Sequence, residues 1–319
     1  MTQFLRRKLI ILINSSFFLL SKMLFQLANN FNSYGYLKLK ISRFFYEDHL
    51  VFNKNGINKI KSLLNSKKLV ALDVGGLNGL EPFLKKYSSF FKIFVCEPFK
   101  ENLEVYSRQN IYKKNQKEKN LILIDKALGE KKQNRKIYIY NESNNTSFYK
   151  PNGQYLDLYC QMNSQNIKEA NLYRKKRFSV KNKINVNVST ISVELKKRNI
   201  NDIDYLKIDT EGSELEILKG LKNYRPLLIE SELSNFELRR GQHNSLELEL
   251  FLKKLNYVPL KSHSLFPHIS LPFTVNKYFI LDLINNKNRK ILKKRIIQFK
   301  AILIMLNEKK LLSYLDNYI

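Results

Sequence analysis

Cysteine is nearly missing. Cys96 and Cys160 are the only two in 319 residues, too few for a disulfide framework and in keeping with a reducing compartment. Histidine is almost as scarce. His49, His243, His263 and His268 show no metal-ligand spacing with the cysteines, which argues against a structural zinc module. The pyrophosphate fingerprint G-x-G-x-x-G is lacking, as are an Asn-Pro-Pro-Tyr-type base-methylation block and any recognisable RNA-binding module. The best approach to a membrane span, residues 4–28, is interrupted by Asn14, Ser15, Ser16, Ser21 and Lys22. A spanning helix needs about 20 predominantly apolar residues, so an interfacial or buried helix is expected there. Acidic residues are also short: 28 against 56 basic ones, a net charge of +28. Such a field attracts RNA, DNA, acidic lipid headgroups or acidic polysaccharide. A Lys- and Asn-rich composition produces the same excess, so charge alone names no partner.

What is present is a chain 44% hydrophobic, enough for a buried core. The run Leu69-Val70-Ala71-Leu72-Asp73-Val74 reads as a buried strand that delivers an acid into the glycine turn Gly75-Gly76-Leu77-Asn78-Gly79. About 20 residues on, Ile93-Phe94-Val95-Cys96 ends in Glu97-Pro98. This is the sequence form of a nucleotide-type cofactor site: glycines admit the ligand to the backbone, and the second carboxylate accepts ribose hydroxyls. An acid before the turn repels a diphosphate and suits a cation, which favours S-adenosylmethionine over NAD.

Further strands are expected at 121–125, 136–140, 186–190, 203–209 and 226–230, with a helix from about Ser213 to Lys222. Continuous apolar strands between helices predict an α/β fold with a mostly parallel central sheet and helices on both faces. Asp73, Glu97, Asp125, Asp209 and Glu230 would all tip strands, and ligands of open α/β sheets bind beyond such ends. The polar segment 141–183 reads as an insertion, mobile loop or lid. From Asn288 the chain reads as one basic helix, with Leu292, Ile296, Phe299, Leu303 and Leu306 as its apolar stripe; packing on the domain and lying on an anionic membrane are its two readings.

The block Lys207-Ile208-Asp209-Thr210-Glu211-Gly212-Ser213-Glu214-Leu215-Glu216-Ile217-Leu218-Lys219-Gly220 closely resembles the K-I-D-x-E-G-x-E-x-x-x-L-x-G signature of FkbM-type S-adenosylmethionine-dependent methyltransferases. The Asp73–Gly79 turn, Glu97-Pro98, Asp125 to Gly129, Thr146-Ser147, Thr190-Ile191 and Leu228-Ile229-Glu230 follow the family's order, so the resemblance covers roughly 68–235. Two departures stand out: the turn's asparagine, Asn78, sits one place later than in the family, and Ser192-Val193 replace acids after Thr190-Ile191. The resemblance implies a Rossmann-like methyltransferase fold with N- and C-terminal helical extensions, and a hydroxyl acceptor on a sugar or natural product. Domains are expected at 1–67 (a helical extension associated with a membrane), 68–284 (the methyltransferase) and 285–319 (the basic helix).

Position by position, the resemblance places Asp73, Gly75 and Gly79 in the cofactor turn, Glu97 on the ribose and Asp125 near the adenine. Asp209 and Glu211 would face methyl group and acceptor, with His243 a second-rank base. Glu211 and Glu214 have the alternative role of helix N-terminal acids, and Lys207 is expected to pair with a neighbour. No metal ligands are assigned; a divalent metal is possible but not indicated, and Asp209 or Glu211 is expected to act as the base, alone or through a bound metal. The expected cofactor is S-adenosylmethionine, and the expected partner a glycan or small-molecule hydroxyl, in surface polysaccharide or glycolipid synthesis. The setting would be cytoplasmic, at the inner face of a membrane whose anionic surface is a further partner. The rivals are an RNA methyltransferase and a non-enzymatic membrane-surface scaffold with a decayed cofactor site.

Overall fold

Strands form where consecutive apolar residues bury both faces, and the helices between them carry the polar surface. The computed structural model describes residues 54–77, 79–108, 120–264, 271 and 273–318. The segment 4–28, most of the 1–67 extension, and Asn78 lie outside the described residues. In chain order the first elements are α1 (Lys54–Leu64), β1 (Leu69–Val74), α2 (Pro82–Tyr87), β2 (Phe91–Cys96), α3 (Lys100–Arg108) and β3 (Leu121–Ile124). A short β4 (Ala127–Leu128) and long β5 (Gln133–Tyr140) lead to α4 (Gly153–Met162), α5 (Ile167–Phe178) and β6 (Val180–Ser189). Then follow α6 (Ile191–Lys196), β7 (Tyr205–Ile208), α7 (Glu214–Lys219), β8 (Leu228–Ser234) and α8 (Ser245–Lys254). The chain closes with β9 (Tyr257–Ser264), β10 (Thr274–Leu281), α9 (Asn286–Lys294), α10 (Ile296–Met305) and α11 (Lys309–Tyr318).

Seven strands make the central sheet in the order β3-β2-β1-β7-β8-β10-β9. All pairs are parallel as far as β8; β10 then inserts antiparallel between β8 and β9. The direction of winding reverses between β1 and β7, and such a switch opens a ligand crevice at the carboxyl ends of the strands. This is a Rossmann-like α/β layering with helices flanking the sheet. Leu69, Ala71, Leu206, Ile208, Leu228 and Ile229 are all fully buried in it.

Three expectations are corrected. The strand at 136–140 does not extend the main sheet; it lies in β5 of a second sheet ordered β4-β6-β5, where the 186–190 strand also belongs. The alternating burial of β6 suits a sheet with one face in water. The polar segment 141–183 is no loop but holds helices α4 and α5. They close over Tyr140, Leu156, Tyr159, Cys160, Ala170, Phe178, Leu238 and Phe273. The single basic helix from Asn288 is instead three short helices, and Leu292, Phe299, Leu303 and Leu306 are buried against the main core. Arg295 breaks the run because its side chain is buried and spent on Asp204 (2.8 Å) and the carbonyl of Arg225 (3.0 Å). Among the described residues no helix is long and apolar enough to cross a membrane.

Candidate active site

The cofactor turn begins where β1 ends beside β7. Asp73 lies opposite both Val95 of β2 and Lys207 of β7. It is fully buried, and among the described residues neither carboxylate oxygen has a hydrogen-bond partner. Burial, reinforced by Glu81 and Asp209, pushes its pKa up to about 6 against the attraction of Lys207, whose Nζ is 3.7 Å away. Gly75 takes φ +90°, and its N–H donates to the Cys96 carbonyl (3.1 Å). Gly79 is also left-handed, at φ +94°. At the next strand end Glu97 is buried. Its Oε1 accepts from Asn102 Nδ2 (2.8 Å) and the Phe99 N–H (3.2 Å), and Oε2 takes no donor from the described residues. Burial raises its pKa, and those two donors temper the rise. Asp125 follows β3 directly and is exposed, 3.8 Å from Lys126.

Lys207 is buried and central, as its predicted pairing role requires. Its ammonium reaches Glu81 (3.2 Å), Asp209 (3.3 Å) and Asp73 (3.7 Å). Burial disfavours the charged form, yet three acids hold the pKa well above its ordinary value. It ties the cofactor turn to the signature loop.

That loop turns sharply, with Glu211 at φ +60° and Gly212 at φ +112°. Glu214 folds back to accept the N–H of Thr210 (2.9 Å) and of Gly212 (3.0 Å). Glu214 therefore holds the turn, the alternative weighed for it above. Glu211 instead meets Arg239 in an ion pair. Arg239 is buried and is positioned by backbone pairing, since the Asn152 N–H donates to Leu238 O (2.9 Å) and the Arg240 N–H to Lys150 O (2.8 Å). Ser147 Oγ donates to the Glu211 carbonyl (2.7 Å), so the Thr146-Ser147 landmark touches the signature directly.

Asp209, Glu211 and Glu232 bring one carboxylate oxygen each to within 4.8 Å of one another. Burial would raise Asp209, but Lys207 and a hydrogen bond from Glu232 hold it low. Burial raises Glu211 despite Arg239. Burial, with Asp209 and Glu211 as neighbours, lifts Glu232 well above the carboxylate range. A cleft beside them is lined by Glu211, Gly212, Glu232, Arg239, Gln242 and Thr274 among others.

Two further residues singled out from the sequence stand outside the cleft lining. Glu230 is no strand end: β8 continues to Ser234, and Glu230 sits mid-strand, hydrogen-bonded by Tyr205 OH. Burial, with Glu81 near, pushes it up to about 7. His243 is not in the cleft lining; it faces Glu247 (3.4 Å) at the start of α8. Glu232, Arg239 and Gln242 were not assigned from the sequence. The signal for Glu232 was available, because residues i and i+2 of a strand share a face and Glu230 had been singled out.

The fold and site together define a Rossmann-like methyltransferase. The family described as the methyltransferase FkbM domain matches residues 73–259, well over half of the chain. The chain belongs to that family, and S-adenosylmethionine is the cofactor that membership supports. The residues present fit this cation: a buried acid with two unsatisfied oxygens at the turn, and a second with a free oxygen at the next strand. Among curated proteins none matches. Among solved structures, the methyltransferase domain of bacterial CtHen1 shares 13% identity over 72% of this chain and 99% of that one, with a TM-score of 0.33. M. capricolum TrmK bound to S-adenosylhomocysteine shares 13% over 81% and 96% (TM-score 0.33). The fibrillarin/Nop5p complex shares 11% over 69% and 78% (TM-score 0.32).

Proposed function

We propose that this methyltransferase acts on a hydroxyl oxygen of a sugar, in a surface polysaccharide, glycolipid or related natural product. The observation that carries the reading is the carboxylate group Asp209–Glu211–Glu232, two of whose members line a small cleft, next to the glycine turn. An alcohol is a poor nucleophile and needs a base as the new bond forms. Asp209, held low by Lys207, is ionised at neutral pH and is the base. Arg239 fixes the direction of Glu211, leaving Glu211 to accept a hydrogen bond from the acceptor. Bound S-adenosylmethionine supplies the electrophilic methyl group; the chain's own work is to align the acceptor oxygen and remove its proton. Asp73, Gly75 and Gly79 line the cofactor turn, Glu97 grips the ribose and Asp125 lies by the adenine. The segment 141–183, which contacts the signature loop through Ser147, covers the acceptor side.

Asp209→Asn tests the assignment. Turnover should fall by about 100-fold or more, the range for a lost general base, while calorimetric affinity for S-adenosylmethionine stays within a few-fold. Lost affinity would give Asp209 a binding role instead. For the acceptor class, purified glycan and RNA fractions are offered with label in the methyl group; label entering RNA would overturn the glycan reading. A cofactor titration without heat would mean a decayed site.

A further inference from the structure

We infer that Asp209, Glu211 and Glu232, completed by the amide oxygen of Gln242, bind one hard divalent cation, Mg2+ or Mn2+, at the edge of the acceptor cleft. The inference deepens the proposed methyl transfer and rests on it, because the ion would hold the acceptor oxygen and make it more acidic.

The first support is spacing. The three carboxylate oxygens lie within 4.8 Å of one another, and a cation with ligands at about 2.0–2.6 Å spans oxygens that far apart. The second is independent of the acids. Gln242 is 6% exposed and lines the same cleft as Glu211 and Glu232, and its buried Oε1 has no donor among the described residues. Its Nε2 donates to the Phe236 carbonyl (2.9 Å), which fixes the amide so that the oxygen points away from that carbonyl. Gly212 confirms the direction: a Cβ there would stand 3.3 Å from this oxygen. A buried amide oxygen without a donor among the described residues is completed by a donor or a cation. Thr274 Oγ1, in the same lining, is likewise unpartnered.

Charge points the same way. Lys207 serves Asp209 and Arg239 serves Glu211, while among the described residues Glu232 forms no ion pair. The donor set is all oxygen, with no histidine or thiol, and that favours Mg2+ or Mn2+ over zinc or copper.

The test uses the full chain freed of metal with EDTA and titrated with Mn2+ alone, read by loss of the free-ion paramagnetic resonance signal. One Mn2+ per chain is expected, displaced by Mg2+. Glu232→Gln should weaken it by about tenfold or more, and Gln242→Met by several-fold. Calorimetry with S-adenosylmethionine in EDTA reports the fold of each variant separately. Protein that binds the cofactor but no Mn2+ overturns the cation site and leaves methyl transfer standing. Mn2+ affinity unchanged in both variants also overturns it. Failure of the cofactor titration in the wild-type chain overturns methyl transfer instead, with the resonance signal still judging the cation site.

Discussion

Gly75 lies directly against the backbone of Asp209: a Cβ at position 75 would stand 1.8 Å from the Asp209 carbonyl oxygen. The Gly75 turn and the loop that begins at Asp209 are therefore in backbone contact. Gly75→Ala must push that loop aside, and it also forces alanine into φ +90°, a region disfavoured for residues with a Cβ by about 1–2 kcal/mol. The variant should lose several degrees of thermal stability and at least about tenfold in S-adenosylmethionine affinity, since the moved loop disturbs the cradle. Thermal unfolding with calorimetry checks both; wild-type affinity would show that the contact does not shape the cofactor site.

Glu97 divides its labour in a way that predicts a selective defect. Oε1 is held by Asn102 and Phe99, which leaves the other oxygen for the ribose in the proposed cofactor site. A hydrogen bond to an ionised carboxylate contributes about 1.5–3 kcal/mol. Glu97→Gln should therefore weaken S-adenosylmethionine binding by about tenfold or more while saturated turnover stays near wild type. A fall in kcat with unchanged affinity would remove Glu97 from the ribose.

The strand ends at Asp73 and Glu97 were legible because each is a local event: an apolar run, an acid and a turn. The block at Lys207–Gly220 was legible as a family signature, but its division of roles was not. Whether Glu211 or Glu214 faces the ligand depends on the left-handed turn that sends Glu214 back to its own backbone. Glu232 was missed because β8 looked complete at Glu230, and the rest of the strand is added only by pairing with β10. Arg239 and Gln242 come from a loop positioned by backbone bonds to residues 150 and 152, contacts too distant in sequence for any periodicity to reveal. The helical run after Asn288 was seen, but not its breaks, since Arg295 leaves the helix to satisfy a buried acid beside β7.

Glu194 sets an acid limit on stability. Burial would raise its carboxyl, but Ser189 Oγ (2.6 Å), Arg198 (2.8 Å) and Lys197 (3.0 Å) overcome this and hold it at about 2. A pKa depressed on folding stabilises the native state above the unfolded value, near 4.5, and that contribution drains away as pH falls towards 2. With Lys197 in solvent, screening limits the contribution to about 2 kcal/mol. Glu194→Gln should lower stability by that amount at pH 7 and flatten the loss between pH 4.5 and 2. Urea unfolding across this range checks the slope; parallel curves for the two proteins would sink the assignment.

Arg295 and Asp204 are both buried, 2.8 Å apart, and fasten the last three helices to the foot of the main sheet. Arg295 also donates to the Arg225 carbonyl (3.0 Å), and Asp204 accepts the Val70 N–H (2.7 Å). Removing one partner leaves a buried charge uncompensated, at a cost of about 3–5 kcal/mol. Arg295→Met should therefore destabilise by that amount in urea unfolding, with S-adenosylmethionine affinity little changed because Arg295 joins the strand end opposite the cofactor. Asp204→Asn alone should cost less than Arg295→Met, since an amide oxygen can still accept from Val70 while the arginine keeps the carbonyls of Arg225 and Ile203. The double variant should be more stable than the sum of the two losses, because a neutral amide then stands beside a neutral thioether and no bare charge remains. Strict additivity would show that the two side chains do not share one buried ion pair.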